Sequence, residues 1–122
     1  MPFIYENYDN YSKNGIKNFK ENIPDYIVKN LKYPLRPYQQ EAIGRYLFYK
    51  TAPNRVLPEQ ILYNMATGSG KTLLMTAVIF EKYHQGERNF IFFVNNDNIL
   101  TKTKDNFLES SSGKYLFTEK IV

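Results

Sequence analysis

An α/β fold built on a parallel sheet is predicted for this 122-residue chain by three observations. Short apolar runs, residues 61–63 and 90–94, alternate with helix-period segments, about 71–83 and 98–109. The first run leads through a glycine-rich turn into Gly-Lys-Thr and a long apolar helix. The last stretch, 114–122, supplies one more candidate strand. Strand and helix in alternation imply parallel pairing with right-handed crossovers. Three strands joined by single helices do not close a sheet, so the chain is expected to be the opening part of a larger α/β domain.

The segment ILYNMATGSGKT, 61–72, organises the rest. Ile61–Tyr63 is a short apolar run bounded by turn residues, as a buried strand end is. Gly68 and Gly70 permit positive φ and close approach of backbone to a bound group. Strand, glycine-rich turn, Gly-Lys-Thr and helix make a phosphate-binding loop. Its N–H groups, from Thr67, Gly68, Ser69 and Gly70 onward, converge on phosphate oxygens, and the helix start adds positive partial charge there. Lys71 is assigned to the β- and γ-phosphates of ATP, Thr72 to Mg²⁺, and Leu73 joins them in the first helical turn. The strict G-x-x-x-x-G-K-[ST] pattern is broken, because Met65 stands where the first glycine belongs. The competing reading is a glycine-rich turn that merely precedes Lys-Thr.

Composition bounds the class. Hydrophobic residues at 43% and charged residues at 23% are those of a globular protein. With no cysteine, disulfides and thiolate chemistry are excluded, and a reducing compartment fits. His84, alone of its type and near a helix end, makes a zinc site unexpected. No apolar stretch nears the ~18 residues of a membrane span, and the N-terminus lacks a signal-peptide pattern. A cytoplasmic protein with no membrane partner is the expectation. The net charge of +4 suits a polyanionic partner without demanding one.

The remaining elements follow in order. Residues 1–14, rich in Asn, Tyr, Asp and Ser, read as a poorly ordered arm or a strand lacking context. Tyr5, Tyr8 and Tyr11 repeat every three residues without evident chemistry. Ile16 and Phe19 suggest a short helix before Pro24, and Pro24 opens a second with Tyr26, Ile27 and Leu31 on its apolar face. Pro37 starts a clearer helix to Lys50, in which Tyr38, Ala42, Ile43, Tyr46 and Leu47 form the inner stripe. Gln39, Gln40 and Glu41 lie beside that stripe. Helix 71–83 is apolar nearly all round, implying burial on most sides, with Gly86 as its C-cap. The unbroken run in 90–94 reads as a central parallel strand.

LRPYQQEAI at 35–43, the phosphate loop, and FIFFVNNDNILTKTKDNF at 90–107 together resemble the start of a superfamily-2 helicase or translocase. The nearest likeness is the restriction (Res) subunit of type III restriction enzymes, over about residues 23–107. The resemblance implies a P-loop NTPase with an incomplete RecA-like parallel sheet, flanking helices and an N-terminal helical extension. Residues 1–34 are then the extension and 35–122 the first part of the ATP-binding domain. It also implies that Arg36, Tyr38 and Gln39 serve the adenine end. A Gln amide, with one acceptor and two donors, suits the adenine N6/N7 edge. Asn95, Asn96, Asn98 and Lys102 match the position of a motif that contacts a nucleic-acid backbone in relatives; a solvated turn before a helix explains them equally well. Double-stranded DNA and a modification methyltransferase are the partners the resemblance implies.

The 122 residues contain no acidic D-E-x-H-type motif, no second-domain arginine finger and no nuclease motif. Phosphoryl transfer takes most of its rate from such groups. The chain is therefore expected to bind nucleotide and barely hydrolyse it. Two other readings compete: a kinase-like P-loop protein, which leaves LRPYQ unexplained, and a truncated remnant without catalysis.

Overall fold

The computed structural model describes residues 4–53, 55–66, 68–113 and 115–118. Five helices occur in them: α1 (Ile4–Lys13), α2 (Asp25–Val28), α3 (Pro37–Lys50), α4 (Lys71–His84) and α5 (Asp97–Phe107). The chain forms two compact units, Met1–Ile23 with Arg36–Ser69, and Pro24–Leu35 with Gly70–Val122.

In the first unit, the stretch that reads as a poorly ordered arm or a strand lacking context is helix α1. Packing rather than propensity holds it. Tyr8 is buried against Phe19 and Phe48, with ring centroids 5.3 and 5.5 Å away. Asp9 accepts from Arg45 at 2.6 Å, and Glu41 accepts from the same guanidinium at 2.8 Å. No helix forms around Ile16 and Phe19: Gly15 and Asn22 both have positive φ, and Asn18 Oδ1 accepts the Lys20 N–H to form a turn. Helix α3 has the expected bounds, with Pro37 in its first turn. Its inner face is rotated from the predicted stripe. Gln39, Ile43, Gly44 and Tyr46 are buried, while Tyr38 is exposed. Gly44 explains the rotation: a Cβ there would lie 1.6 Å from the Phe19 carbonyl oxygen, so only glycine lets α3 meet that backbone.

In the second unit α2 packs on α4. Pro24 precedes α2 as its N-cap rather than opening it, and α2 is a single turn. Ile27, Leu74, Ala77 and Phe80 are buried. Met75 and Tyr83 are exposed, so α4 is less enclosed than its composition predicts. The Tyr26 hydroxyl donates to the carboxylate of buried Glu81, and the Tyr26 ring stacks on His84 at 3.9 Å. Helix α4 ends in a Schellman motif: Gly86, at φ +107°, donates to Tyr83 O, and the Glu87 N–H donates to Lys82 O.

The predicted strands 61–63 and 90–94 run as irregular backbone. A strand exists only through its neighbours, and among the described residues these segments have no β partner. Leu62, Ile91 and Phe93 are 80–91% exposed, as a central strand's side chains would be without a covered sheet. The one β-bridge among the described residues is antiparallel, Leu31 to Phe117, flanked by Lys32 N–H to Leu116 O and Thr118 N–H to Asn30 O. Of the predicted final strand, the described residues form only this bridge and its flanking bonds over 116–118, to the segment after α2 and antiparallel, while the Tyr115 N–H turns back to Ser112 O; Lys114 and 119–122 lie outside the described residues.

The Tyr26–Glu81 bond carries a pH signature. Burial, then the hydrogen bond and charge of Glu81, push the Tyr26 hydroxyl up to about 12. A proton held more tightly in the folded state stabilises the fold below the unfolded tyrosine value near 10, and that stabilisation disappears as pH rises toward 12. Tyr26→Phe should cost about 2 kcal/mol at neutral pH, the scale of a hydrogen bond to a charged group. Denaturant unfolding of both proteins across pH 7–12 checks this. The difference should hold to about pH 10 and then shrink; an undiminished difference at the alkaline end contradicts it.

Candidate functional site: the phosphate loop and its neighbours

The loop divides between the two units, and each half is described with its own. In the first unit, Gly68 has φ +77° and Ser69 turns back on Ala66, its N–H donating to Ala66 O at 3.2 Å. A Cβ at Gly68 would meet nothing within 4 Å, so backbone conformation and not crowding calls for glycine. Thr67 lies outside the described residues. The start of α3 reaches this half of the loop. Tyr38 donates its hydroxyl proton to Ser69 O, and Gln39 Nε2 donates to the same oxygen at 3.3 Å. Arg36 Nη1 donates to the Tyr38 hydroxyl at 3.0 Å. Gln39 Oε1 accepts the Arg36 N–H at 2.8 Å, half of a capping box; the guanidinium, a donor only, cannot supply the other half. Gln39 is 2% exposed, so its amide serves the interior of the unit as well as any ligand.

A cavity of about 610 Å³ opens beside these residues. It is lined by Tyr38, Glu41, Arg45 and Tyr46 of α3 and by Tyr63 and Ser69 of the segment entering the loop. Burial pushes the Tyr63 hydroxyl well above the ordinary tyrosine range.

In the second unit, Gly70 is the N-cap of α4 in the left-handed region, φ +85°, with no side-chain cap. Lys71 and Thr72 are the first helical residues, Lys71 exposed, Thr72 and Leu73 half-buried. No acidic residue stands in that first turn. The helix start thus presents N–H groups, positive partial charge and a lysine together, a combination that favours an anion. Thr76 donates to Thr72 O at 2.8 Å, so that buried hydroxyl is satisfied within the helix. Among the described residues no His/Cys/Asp/Glu cluster could hold a metal. A Mg²⁺ here would arrive on nucleotide phosphates, with Thr72 as its protein ligand.

Asn95, Asn96, Asn98 and Lys102 are all exposed at the start of α5. Asn96 is its N-cap: Oδ1 accepts the Ile99 N–H at 2.9 Å, and Nδ2 donates to Asn95 Oδ1 at 3.2 Å. Asp97, passed over in the sequence, sits in the first turn and offers a phosphate backbone a like charge. The tie from Tyr38 to Ser69 was also missed; residues 31 apart give no local signal of it.

A helix that opens on Lys71 and Thr72 behind the left-handed Gly70 is an arrangement suited to an anion. Residues 32–122 match the family described as type III restriction enzyme, res subunit. The chain is 41% identical over 107 residues to a probable type III restriction-modification enzyme HindVIP Res subunit from Haemophilus influenzae. That match covers 82% of this chain and 21% of the relative, so the chain spans about a fifth of that protein's length. The chain belongs to the type III restriction enzyme Res subunit family, which carries a P-loop helicase domain. No solved structure matches it. Among the described residues no helix is long and apolar enough to cross a membrane.

Proposed function

We propose that this chain is the ATP-binding segment of an ATP-dependent translocase-type restriction subunit. The observation that carries the reading is the start of α4, where Gly70, Lys71 and Thr72 form a positive helix terminus with no side-chain cap and no acid in its first turn. Lys71 holds the β- and γ-phosphates, Thr72 the Mg²⁺, and Thr67–Gly70 with Leu73 surround the phosphates. The adenine end falls to Arg36, Tyr38 and Gln39, beside a cavity whose volume lies within the range of small-ligand sites. The hydrogen bonds from Tyr38 and Gln39 to Ser69 tie this upstream element to the loop. A kinase-like use of the loop needs no such tie. The parallel sheet belongs to this reading as the arrangement that 61–63 and 90–94 adopt when neighbouring strands cover them. In the whole subunit the activity is ATP-driven movement on double-stranded DNA, with a methyltransferase partner supplying site recognition. Asn95, Asn98 and Lys102 are the backbone contacts, and Asn96 joins them through its place in the cap.

Nucleotide titration tests the reading. The chain should bind Mg-ATP and prefer it to Mg-GTP, and Gln39→Ala should narrow the preference by roughly fivefold, the equivalent of one hydrogen bond at about 1 kcal/mol. Unchanged discrimination in Gln39→Ala would return that residue to a purely structural role.

A further inference from the structure

The start of α3 does more than face a ligand: its side chains converge on one main-chain oxygen of the loop. Tyr38 and Gln39 both donate to Ser69 O, from adjacent positions on the helix. The Tyr38 hydroxyl is itself oriented, because the Arg36 guanidinium donates to it and leaves its proton for Ser69. Gln39 is oriented in turn by the Arg36 N–H on Oε1. Tyr38 is 43% exposed, so its hydroxyl is not needed to fill the core. The peptide group between Ser69 and Gly70 is planar and trans, so its C=O and N–H point in opposite directions. Fixing the oxygen therefore fixes the direction of the Gly70 N–H, an amide at the phosphate end of the loop.

We propose that Tyr38, held by Arg36, is a positioning residue for the phosphate loop: its hydroxyl sets the orientation of the Ser69–Gly70 peptide and thereby the affinity for the triphosphate itself, whatever base is attached. This rests on the phosphate-loop reading above. The two assignments for Tyr38 predict different ligand dependence. A residue that serves the base changes affinity for ATP alone. A residue that aims a loop amide changes affinity for every ligand carrying the phosphate chain, including one with no base.

The test is competition titration of the full 122-residue chain with Mg-ATP, Mg-GTP and Mg-tripolyphosphate. Tyr38→Phe keeps the ring and removes only the hydroxyl. It should weaken all three ligands by a common factor of about five, the value of one neutral hydrogen bond. Arg36→Ala should weaken Mg-tripolyphosphate by a smaller factor, since the hydroxyl remains but is no longer aimed; a larger loss for Mg-ATP then reads the place of Arg36 at the adenine end. In the absence of ligand, the amide resonance of Gly70 should shift in Tyr38→Phe. A loss confined to ATP, no loss for any ligand, or an unmoved Gly70 resonance would overturn the proposal while leaving the loop assignment intact. If Lys71→Ala binds all three ligands as well as wild type, the loop assignment itself falls, and this proposal with it.

Discussion

Gly44→Ala should destabilise the chain by about 3 kcal/mol, at the upper end of what inserting a methyl group into a packed interior costs. Helix propensity alone predicts the opposite, since alanine gains about 1 kcal/mol over glycine inside a helix. The close approach decides the sign. A Cβ at 44 would stand 1.6 Å from the Phe19 carbonyl oxygen, and the obstructing atom is backbone, which no rotamer change can move. The carbonyl would have to retreat by roughly 2 Å to reach an ordinary contact distance. Phe19 is 2% exposed and packs on Tyr8 and Phe48, so that retreat loosens the contact between α1 and α3 as well. Denaturant unfolding of wild type, Gly44→Ala and the control Ala42→Gly measures it. Ala42→Gly should lose only about 1 kcal/mol, the propensity difference in the same helix. A Gly44→Ala protein as stable as wild type would mean that α3 does not meet the Phe19 backbone as described.

Lys71→Ala should weaken Mg-ATP binding by roughly ten- to a hundredfold. A hydrogen bond to a charged group contributes about 1.5–3 kcal/mol, and each 1.4 kcal/mol is a factor of ten in affinity. Lys71 is the one cationic side chain in the first turn of α4, where neither an acid nor a capping side chain competes for the helix start. It is exposed, so its removal leaves the core of that unit untouched. Titration with a fluorescent ATP analogue, alongside far-ultraviolet circular dichroism to verify folding, checks the prediction. Equal affinity in a folded Lys71→Ala protein would remove the phosphate loop from the functional site.

What could be read from the sequence was what local chemistry dictates. Pro37 announced the start of α3, Gly86 the end of α4, and Gly68–Thr72 the turn into that helix. Each is a signal carried by a few adjacent residues with special backbone freedom or restriction. Helix α1 was hidden because its support comes from Phe19, Arg45 and Phe48, none of them local to Tyr8 or Asp9. The face of α3 was misjudged by one position because glycine scores as neither apolar nor inward, yet Gly44 had to face Phe19. Gln39 went inside with it. The strands show the converse. Ile61–Tyr63 and 90–94 have the composition of sheet interior, but a strand's hydrogen bonds belong to its neighbours, which composition does not supply. Lys71 and Thr72 stand at the start of α4, where the motif put them. The Tyr38–Ser69 bond depends on how α3 and the loop meet, and Asp97 was overlooked between the asparagines around it.

The stop at Gly86 also fixes a distance. Helix α4 has 14 residues and is therefore about 21 Å long at 1.5 Å per residue. The chain that leaves Gly86 has nine residues, 87–95, before the Asn96 cap, and extended they reach about 30 Å. That reach exceeds the helix length by a few residues' worth of slack. Residues 87–95 are thus long enough to span the whole length of α4 without a longer connection. A helix one turn longer, with the stop moved to about residue 90, would use up that slack and leave too little chain for the return. The left-handed glycine after α4 works in this sense as a ruler, setting how much chain remains to span the length of the helix.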